Sequence, residues 1–270
     1  MRLSRRAFGA SALAFGLAAG AVPRPLRAAA SGGSVEGGPA IAAASDLRYA
    51  LEEIAAGFRA ETGQALRLTF GSTGNFARQI RAGAPFELFL AADESYVLDL
   101  ARDGFTEGAG TLYAEGRLAI AVPRAGSAIA PDPELASLAR ALGEGRLRRF
   151  AIANPDHAPY GARAREALQH AGLWEAIEPK LVLGENVGQA AQFALSGSTD
   201  GGLIAWSLSF APELQAAGRF ARVPADWHQP LRQRMALVKG AGAVARAFFD
   251  HLQQPPARAV FARYGFALPG

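Results

Sequence analysis

The sequence has no cysteine among its 270 residues, and its four histidines stand far apart. Without cysteine there is no disulfide, no thiolate nucleophile and no zinc–sulfur site. The histidines lack the spacing of metal ligands; they are His157, His170, His228 and His251. We therefore expect no bound metal cation.

The chain also has little surplus charge once its first thirty residues are set aside. The full sequence has 28 Lys and Arg against 24 Asp and Glu, a formal net charge of +4. Five basic residues and no acidic ones fall within residues 1–30: Arg2, Arg5, Arg6, Arg24 and Arg27. The remainder has 23 basic and 24 acidic side chains, a net charge of −1. This balance argues against nucleic acid as a partner.

Residues 1–30 have the pattern of an export signal. Basic residues come first, then a mildly apolar run, then the small-residue sequence "RAAA". The run is too short and too rich in Ala and Gly for a membrane span, so we expect cleavage near Ala30 and a periplasmic mature protein. The piece "SRRAF" resembles a twin-arginine signal. The alternative is an N-terminal anchor that is kept.

After residue 38, strand-like and helix-like patterns alternate along the chain. Half of the residues are hydrophobic, which is enough for one large domain or two lobes of about 100 residues each. The alternation predicts parallel sheets with helices on both faces, in two units with a cleft between them. Helical patterns separate the predicted strands, which cover residues 40–45, 65–70, 86–93, 116–123, 148–155, 180–185, 201–207 and 234–241.

Polar residues and helix starts follow four of the predicted strands. The junction residues are Ser45 and Asp46, Ser72 and Thr73 in "GSTG", Tyr160, and Asn186 and Val187. Helix starts supply unpaired N–H groups and about half a positive charge each, and the hydroxyls add further donors. A shell of donors suits a small, fully ionised oxyanion, whereas a ligand with its own proton would need an acceptor. Taken singly, each residue also has a structural explanation, as a helix cap or as a core aromatic.

Five segments occur in the order found in one known family: "AAASDL", "FGSTGNFARQIRAGAPFELFLAAD", "IANPDHAPYG", "GENVGQAAQFALSG" and "FARYGF". On these segments the chain resembles the periplasmic molybdate-binding proteins of ABC transporters, which are type II periplasmic binding proteins. The resemblance implies an α/β, two-lobed venus-flytrap fold in which each lobe is a mainly parallel sheet flanked by helices. It assigns residues 38–118 and 211–270 to lobe 1, and residues 119–210 to lobe 2.

The resemblance also implies which junction residues bind the oxyanion. Ser45 would bind with its hydroxyl and N–H, and Thr73 matches a ligand position best, with Ser72 beside it. From lobe 2, the Tyr160 hydroxyl and the Val187 N–H would complete the shell. The glycines of "GSTG" would let the backbone approach the ligand, while Thr73 would act both as a helix cap and as a donor.

Two positions depart from the family pattern. Asp46 stands where related proteins carry Asn, so we expect its backbone N–H to serve and its carboxylate to point away from the oxyanion. Ala205 stands where some relatives have a binding tyrosine, which indicates the subgroup that takes its tyrosine from "APYG", as Tyr160 does here. The resemblance leaves open whether the neighbouring Trp206 helps to close the cleft.

The implied function is capture of molybdate, and of tungstate, by a monomer that uses no cofactor and passes the ion to a membrane permease. The same fold could instead bind sulfate, phosphate or a small organic anion, or belong to a regulator without a transport partner. An enzyme is not expected, because "GSTG" is not the G-x-S-x-G nucleophile elbow and lacks the lysine of a phosphate-binding P-loop.

Overall fold

The computed structural model describes residues 37–269, which fall within one compact unit. The predicted export signal at residues 1–30 lies outside the described residues. Within them the chain forms two five-stranded sheets with helices packed against both, which confirms the predicted α/β, two-lobed class. None of the helices in this part of the chain has the length and apolar character needed to cross a membrane.

The eight predicted strands are all present in the predicted order, together with two further strands and the helices of both lobes. The strands are β1 (Ala40–Ala44), β2 (Arg67–Gly71), β3 (Phe86–Ala91), β4 (Thr111–Gly116), β5 (Leu118–Pro123), β6 (Phe150–Ala153), β7 (Leu181–Gly184), β8 (Gly202–Ala205), β9 (Gly218–Arg222) and β10 (Leu231–Leu237). The helices are α1 (Arg48–Thr62), α2 (Thr73–Arg81), α3 (Glu94–Arg102), α4 (Ala136–Gly143), α5 (Pro159–His170), α6 (Trp174–Ile177), α7 (Val187–Leu195), α8 (Pro212–Ala217), α9 (Ala243–His251) and α10 (Pro255–Arg263). Short 3₁₀ helices cover Ser45–Leu47, Glu178–Lys180, Trp206–Phe210 and Ala225–Trp227.

The two sheets share one topology. The order is β2-β1-β3-β10-β4 in the first sheet, which defines lobe 1, and β7-β6-β8-β5-β9 in the second, which defines lobe 2. Three neighbouring strands of each sheet pair in parallel, and the remaining pairings are antiparallel. Each sheet is therefore mixed, and the parallel half carries the strand ends from which a binding site is expected.

The chain passes between the sheets twice, from β4 to β5 and from β9 to β10. Strand β5 begins at Leu118, next to the boundary that the resemblance assigns. Strand β9 pairs with β5 in the second sheet, although the resemblance places residues 211–270 in lobe 1. The lobe boundaries themselves stay a prediction.

Strands β4 and β9 were not predicted from the sequence pattern. The predicted strand over residues 116–123 runs on from the end of β4 into β5, whereas the chain turns at Arg117 between them. Both β4 and β9 lie at the outer edge of a sheet. Charged residues are common on edge strands, which weakens the hydrophobic pattern there.

The core combines small residues on the central strands with phenylalanines on the helices. Strands β1, "AIAAA", and β5, "LAIAVP", are buried along their whole length. Phe58 of α1 contacts Phe248 of α9 edge-on, with ring centroids 5.1 Å apart. Burial of one such side chain contributes roughly 1.5–3 kcal/mol. This contact joins the N-terminal and C-terminal parts of the chain within lobe 1.

Candidate functional site

The carboxyl ends of β1 and β2 bring hydroxyl groups together in lobe 1. Parallel pairing sets Ala44, at the end of β1, opposite Gly71, at the end of β2. The next residues, Ser45 and Ser72, therefore leave the sheet side by side. Helix α2 begins directly afterwards at Thr73.

Lobe 2 is built in the same way. Ala153, at the end of β6, pairs with Gly184, at the end of β7. The connection after β6 leads into α5, in which Tyr160 is the second residue, and the connection after β7 leads into α7, which begins at Val187. Tyr160 and Val187 thus stand at helix N-termini along the carboxyl edge of the second sheet.

A small pocket lies between the lobes at these helix starts. Its cavity volume is only about 10 Å³, close to the space of one water molecule and far below the roughly 300–1,000 Å³ of pockets for drug-sized molecules. Its lining residues are Ala44, Ser45, Asp46, Gly71, Ser72, Thr73, Ala92, Ala158, Pro159, Tyr160, Asn186 and Val187. Every residue that the sequence analysis predicts for the site is among them, and none of the twelve is Lys, Arg or His.

The first turns of α2, α5 and α7 give the pocket a positive potential without basic side chains. Thr73 and Val187 are the first residues of their helices, and Tyr160 is the second of its own. Each helix start has N–H groups without an intrahelical partner and about +0.5 of effective charge. Three such ends around a compact space favour a bound anion.

Two hydroxyls of the pocket are held in position as donors. The Ser45 Oγ accepts a hydrogen bond from the N–H of Gly188, and the Thr73 Oγ1 accepts one from the N–H of Ala92, each over 3.1 Å. Within the described residues neither hydroxyl donates to another protein group. Because a hydroxyl has a single proton and two lone pairs, both retain a proton to donate to a ligand.

The prediction that Thr73 also caps α2 is wrong. Thr73 is the first helical residue, and its Oγ1 is bonded to the N–H of Ala92 at the end of the neighbouring strand. The N-cap position belongs to Ser72, whose side chain makes no capping hydrogen bond. Both hydroxyls of "GSTG" are engaged outside their own helix.

Ser72 and Gly74 join lobe 1 to His157 of lobe 2. The Ser72 hydroxyl donates to the carbonyl oxygen of His157 over 2.6 Å and lies 2.8 Å from its Nδ1. The N–H of Gly74 donates to the same carbonyl over 2.9 Å, and a Cβ on Gly74 would lie 2.6 Å from that oxygen. This glycine therefore permits the close approach of the two lobes, and the Ser72 proton is taken up by the contact between them.

The same contact aligns a serine, a histidine and a glutamate, since the His157 Nε2 lies 3.6 Å from the Glu185 Oε2. In a hydrolytic triad the histidine accepts the serine proton. Here the carbonyl oxygen of His157 accepts it, and Ser72 is only 3% exposed. The arrangement holds the lobes together and does not activate a nucleophile.

Asp46 is buried and belongs to a hydrogen-bonded group that spans both lobes. Its Oδ2 accepts from the Tyr160 hydroxyl over 3.0 Å and from the Gln233 Nε2 over 2.5 Å. The Gln233 Oε1 in turn accepts from the Tyr113 hydroxyl over 2.8 Å. The second carboxylate oxygen, Oδ1, is buried without a hydrogen-bond partner.

This environment raises the pKa of both the Asp46 carboxyl and the Tyr160 hydroxyl. Burial raises the pKa of the Asp46 carboxyl to about 6, because the charged form loses its hydration, and the hydrogen bonds from Gln233 and Tyr160 offset part of that effect. Burial and the charge of Asp46 raise the pKa of the Tyr160 hydroxyl well above its ordinary value. Tyr160 therefore remains a protonated donor at neutral pH.

Three residues around the site were not predicted. Gln233 lies 187 residues from Asp46 along the chain, so no local pattern indicates their contact. A Cβ on Gly116 would lie 2.2 Å from the Tyr160 hydroxyl oxygen, so this position needs a glycine. Of these three residues, only His157 could have been predicted from the sequence, because it lies in the segment "IANPDHAPYG" that carries the family resemblance.

Trp206 and Ala205 lie outside the pocket. The Trp206 ring packs edge-on against Phe210, with centroids 5.4 Å apart, and against Gly265, where a Cβ would lie 2.7 Å from the ring. Ala205 ends β8 and is fully buried. Neither residue is in a position to contact a ligand there.

A wider groove of about 550 Å³ adjoins the pocket and shares Ser45 and Asn186 with its lining. Its lining mixes apolar side chains with charges of both signs, Arg48 and Glu213. A compact ion would make few simultaneous contacts in such a space. The small pocket between the helix starts is therefore the candidate site.

Comparison with known proteins places the chain among binding proteins. Residues 40–267 match the family described as bacterial extracellular solute-binding protein. The molybdate-binding protein ModA of Rhodobacter capsulatus is 35% identical over 228 residues, which cover 83% of this chain and 86% of that protein. The protein of the same name from Azotobacter vinelandii is 36% identical over 231 residues, covering 84% and 89%.

Solved structures give the same result for the fold. The periplasmic molybdate-binding protein of Azotobacter vinelandii matches with a TM-score of 0.76 and 29% identity, over 86% of this chain and 100% of that one. The sulfate-binding protein SubI of Mycobacterium tuberculosis matches with a TM-score of 0.69 at 15% identity, over 86% and 87%, which shows the fold alone.

Proposed function

Because the chain belongs to the family of bacterial extracellular solute-binding proteins, we propose that it captures molybdate between its two lobes and delivers it to the permease of an ABC transporter. The relatives named for molybdate binding support this ligand. Tungstate is a second ligand of the proposal, since its size and charge are nearly the same. The family binds solutes and catalyses no reaction, so no cofactor is required.

The pocket between the starts of α2, α5 and α7 is the observation that carries this function. Ser45 and Thr73 offer hydroxyl protons from lobe 1, and the N–H of Val187 offers a donor from lobe 2. The Tyr160 hydroxyl lines the same pocket, with its proton given to Asp46. A dianion that accepts from both sides is bound more tightly by the closed arrangement than by an open one. The ion shifts the protein toward the closed state only because it binds that state more tightly than the open one.

The proposal extends to location and assembly. Proteins of this family work outside the cytoplasm. We infer export by the N-terminal signal, through the twin-arginine route, and a monomer in the periplasm that docks on its permease in the closed state.

A second candidate ligand is phosphate, and one observation favours it. Phosphate near neutral pH retains a proton, which needs an acceptor. Asp46 lines the pocket, and its Oδ1 is an acceptor without a hydrogen-bond partner. Molybdate carries no proton under the same conditions. The two ligands therefore make different demands on Asp46.

Calorimetric titration of the ligand-stripped chain without residues 1–30 tests the function. We expect molybdate and tungstate to bind with a Kd between about 1 μM and 1 nM. Sulfate and phosphate at the same concentrations should give no heat of binding. Binding of phosphate or sulfate with silence from molybdate would leave the fold unchanged and overturn the ligand.

A further inference from the structure

Asp46 introduces the one carboxylate into a pocket whose other polar lining groups are donors or amides. It is 2% exposed, and its Oδ2 already accepts two hydrogen bonds, from Tyr160 and from Gln233. Its Oδ1 is buried and unpaired. An asparagine amide or a neutral carboxylic acid would fit these contacts. Either group can place an accepting oxygen at the Oδ2 position and a donor at the Oδ1 position.

No cation neutralises this carboxylate within the described part of the chain. The titratable groups that face it are Tyr160 on α5 and Tyr113 on β4, and burial keeps both hydroxyls protonated. Helix α7 and the 3₁₀ helix after β8 contribute uncharged groups, among them the Ser207 hydroxyl, which donates to the backbone carbonyl of Asp46 over 2.8 Å.

Two arginines that could supply a positive charge are engaged elsewhere. Arg48, at the start of α1, pairs with Glu52 over 3.5 Å and lies over the Phe70 ring. Arg117, between β4 and β5, pairs with Glu115. A dianion placed in this pocket would therefore face an ionised carboxylate without a compensating positive side chain.

We propose that Asp46 binds the oxyanion as the neutral acid, so that capture of each oxyanion also takes up one proton. This inference rests on the proposed function of the same pocket. The proton comes from solvent or buffer, resides on the Asp46 carboxyl in the complex, and returns to solvent on release. Protonation removes the repelling charge and converts an orphaned acceptor into a donor.

The sign of the pH dependence follows from the state of the ligand-free protein. Burial raises the pKa of the Asp46 carboxyl to about 6, so above that pH the group is mostly ionised and must gain a proton on binding. The binding-competent fraction then falls about tenfold per pH unit, and the apparent Kd rises by the same factor. Between pH 6.5 and pH 8.5 we expect the Kd for molybdate to increase about 100-fold.

The experiment is calorimetric titration of molybdate into the chain without residues 1–30, at several pH values and in two buffers with different ionisation enthalpies. The wild type should take up one proton per molybdate at pH 8, which the buffer dependence of the heat reports directly. Asp46→Asn should take up none and should bind with a pH-independent Kd, more tightly than the wild type at pH 8. The exposed Asp226→Asn is the matched control and should keep the wild-type slope.

Each result of this experiment separates the proposal from an alternative. A flat Kd and no proton uptake in the wild type would mean that Asp46 remains ionised in the complex, and the proposal would fall. Loss of molybdate binding in Asp46→Asn with a native melting curve would also overturn the proposal, because asparagine supplies an uncharged donor at the same position. Absence of molybdate binding by the wild type at every pH would instead overturn the proposed function.

Discussion

Three hydroxyl groups that look equivalent in the sequence differ in where their single proton goes. The Ser72 proton is given to the carbonyl of His157, in the other lobe. Ser45 and Thr73 each accept a backbone N–H and retain their protons for a ligand. Hydrogen-bond accounting at the level of single residues thus separates a residue that joins the lobes from two candidate ligand donors.

Thr73→Val should weaken molybdate binding by more than tenfold. The substitution removes one donor to a charged ligand, which contributes roughly 1.5–3 kcal/mol, and keeps the shape of the side chain. Calorimetric titration gives the Kd, and a melting curve checks the fold.

Thr73→Ser is the matched control, since it retains the hydroxyl and should bind within a few fold of the wild type. Normal affinity in a protein that merely melts earlier would show that Thr73 has a structural role only.

Helix starts are the elements that make this pocket positive, and α7 shows how their two roles can be separated. Asn186 is the N-cap of α7, and its Oδ1 accepts from the N–H of Gln189 over 3.0 Å. The same residue lines the pocket. The capping hydrogen bond affects the stability of the helix, whereas the charge of the cap residue affects the affinity for the ligand.

Asn186→Asp should preserve the melting temperature and weaken molybdate binding, because Asp caps as well as Asn but adds a negative charge beside the anion. Asn186→Ala should lower the free energy of unfolding by about 1 kcal/mol through loss of the cap. Chemical denaturation and calorimetric titration of both variants measure the two effects. Equal affinity in Asn186→Asp and the wild type would show that the anion does not bind at this helix start.

At the scale of the whole molecule, the structure is a closed arrangement held by contacts between the lobes outside the pocket. Arg163 of α5 bonds Asp93 of lobe 1 over 2.7 Å, with both side chains less than one-fifth exposed. The Asn75 amide of lobe 1 donates to Glu185 of lobe 2. Such contacts set how much of the ligand-free protein is already closed, and so they act on affinity without touching the ligand.

Asp93→Asn should weaken molybdate binding about fivefold by lowering the closed population, since a partly buried ion pair contributes about 1 kcal/mol. The asparagine still caps α3, where Asp93 accepts the N–H of Ser95, so the helix should remain intact. X-ray scattering should report a larger radius of gyration for the ligand-free variant.

Asp99→Asn is the control, because Asp99 pairs with Arg102 inside α3 and, among the described residues, forms no ion pair with lobe 2. The same loss of affinity in both variants would mean that the effect is one of general charge and not of closure.

By itself the sequence determined the fold class and seven of the twelve residues that line the pocket. Alternating strand and helix patterns predicted the layered α/β architecture, because periodicity is a local property. The junction residues Ser45, Thr73, Tyr160 and Val187 could be predicted because parallel strands deliver their carboxyl ends to one edge of a sheet. The edge strands β4 and β9 were not predicted, since charged residues interrupt the hydrophobic pattern of "TLYAEG" and "GRFAR".

Only the tertiary structure decided what each group does within the pocket. The direction of the Ser72 proton depends on His157, and the pKa of the Asp46 carboxyl depends on burial beside Tyr160 and Gln233. Those partners lie 85, 114 and 187 residues away along the chain. Hydrogen-bond partners and desolvation follow from proximity in space, which a local pattern of residues does not contain.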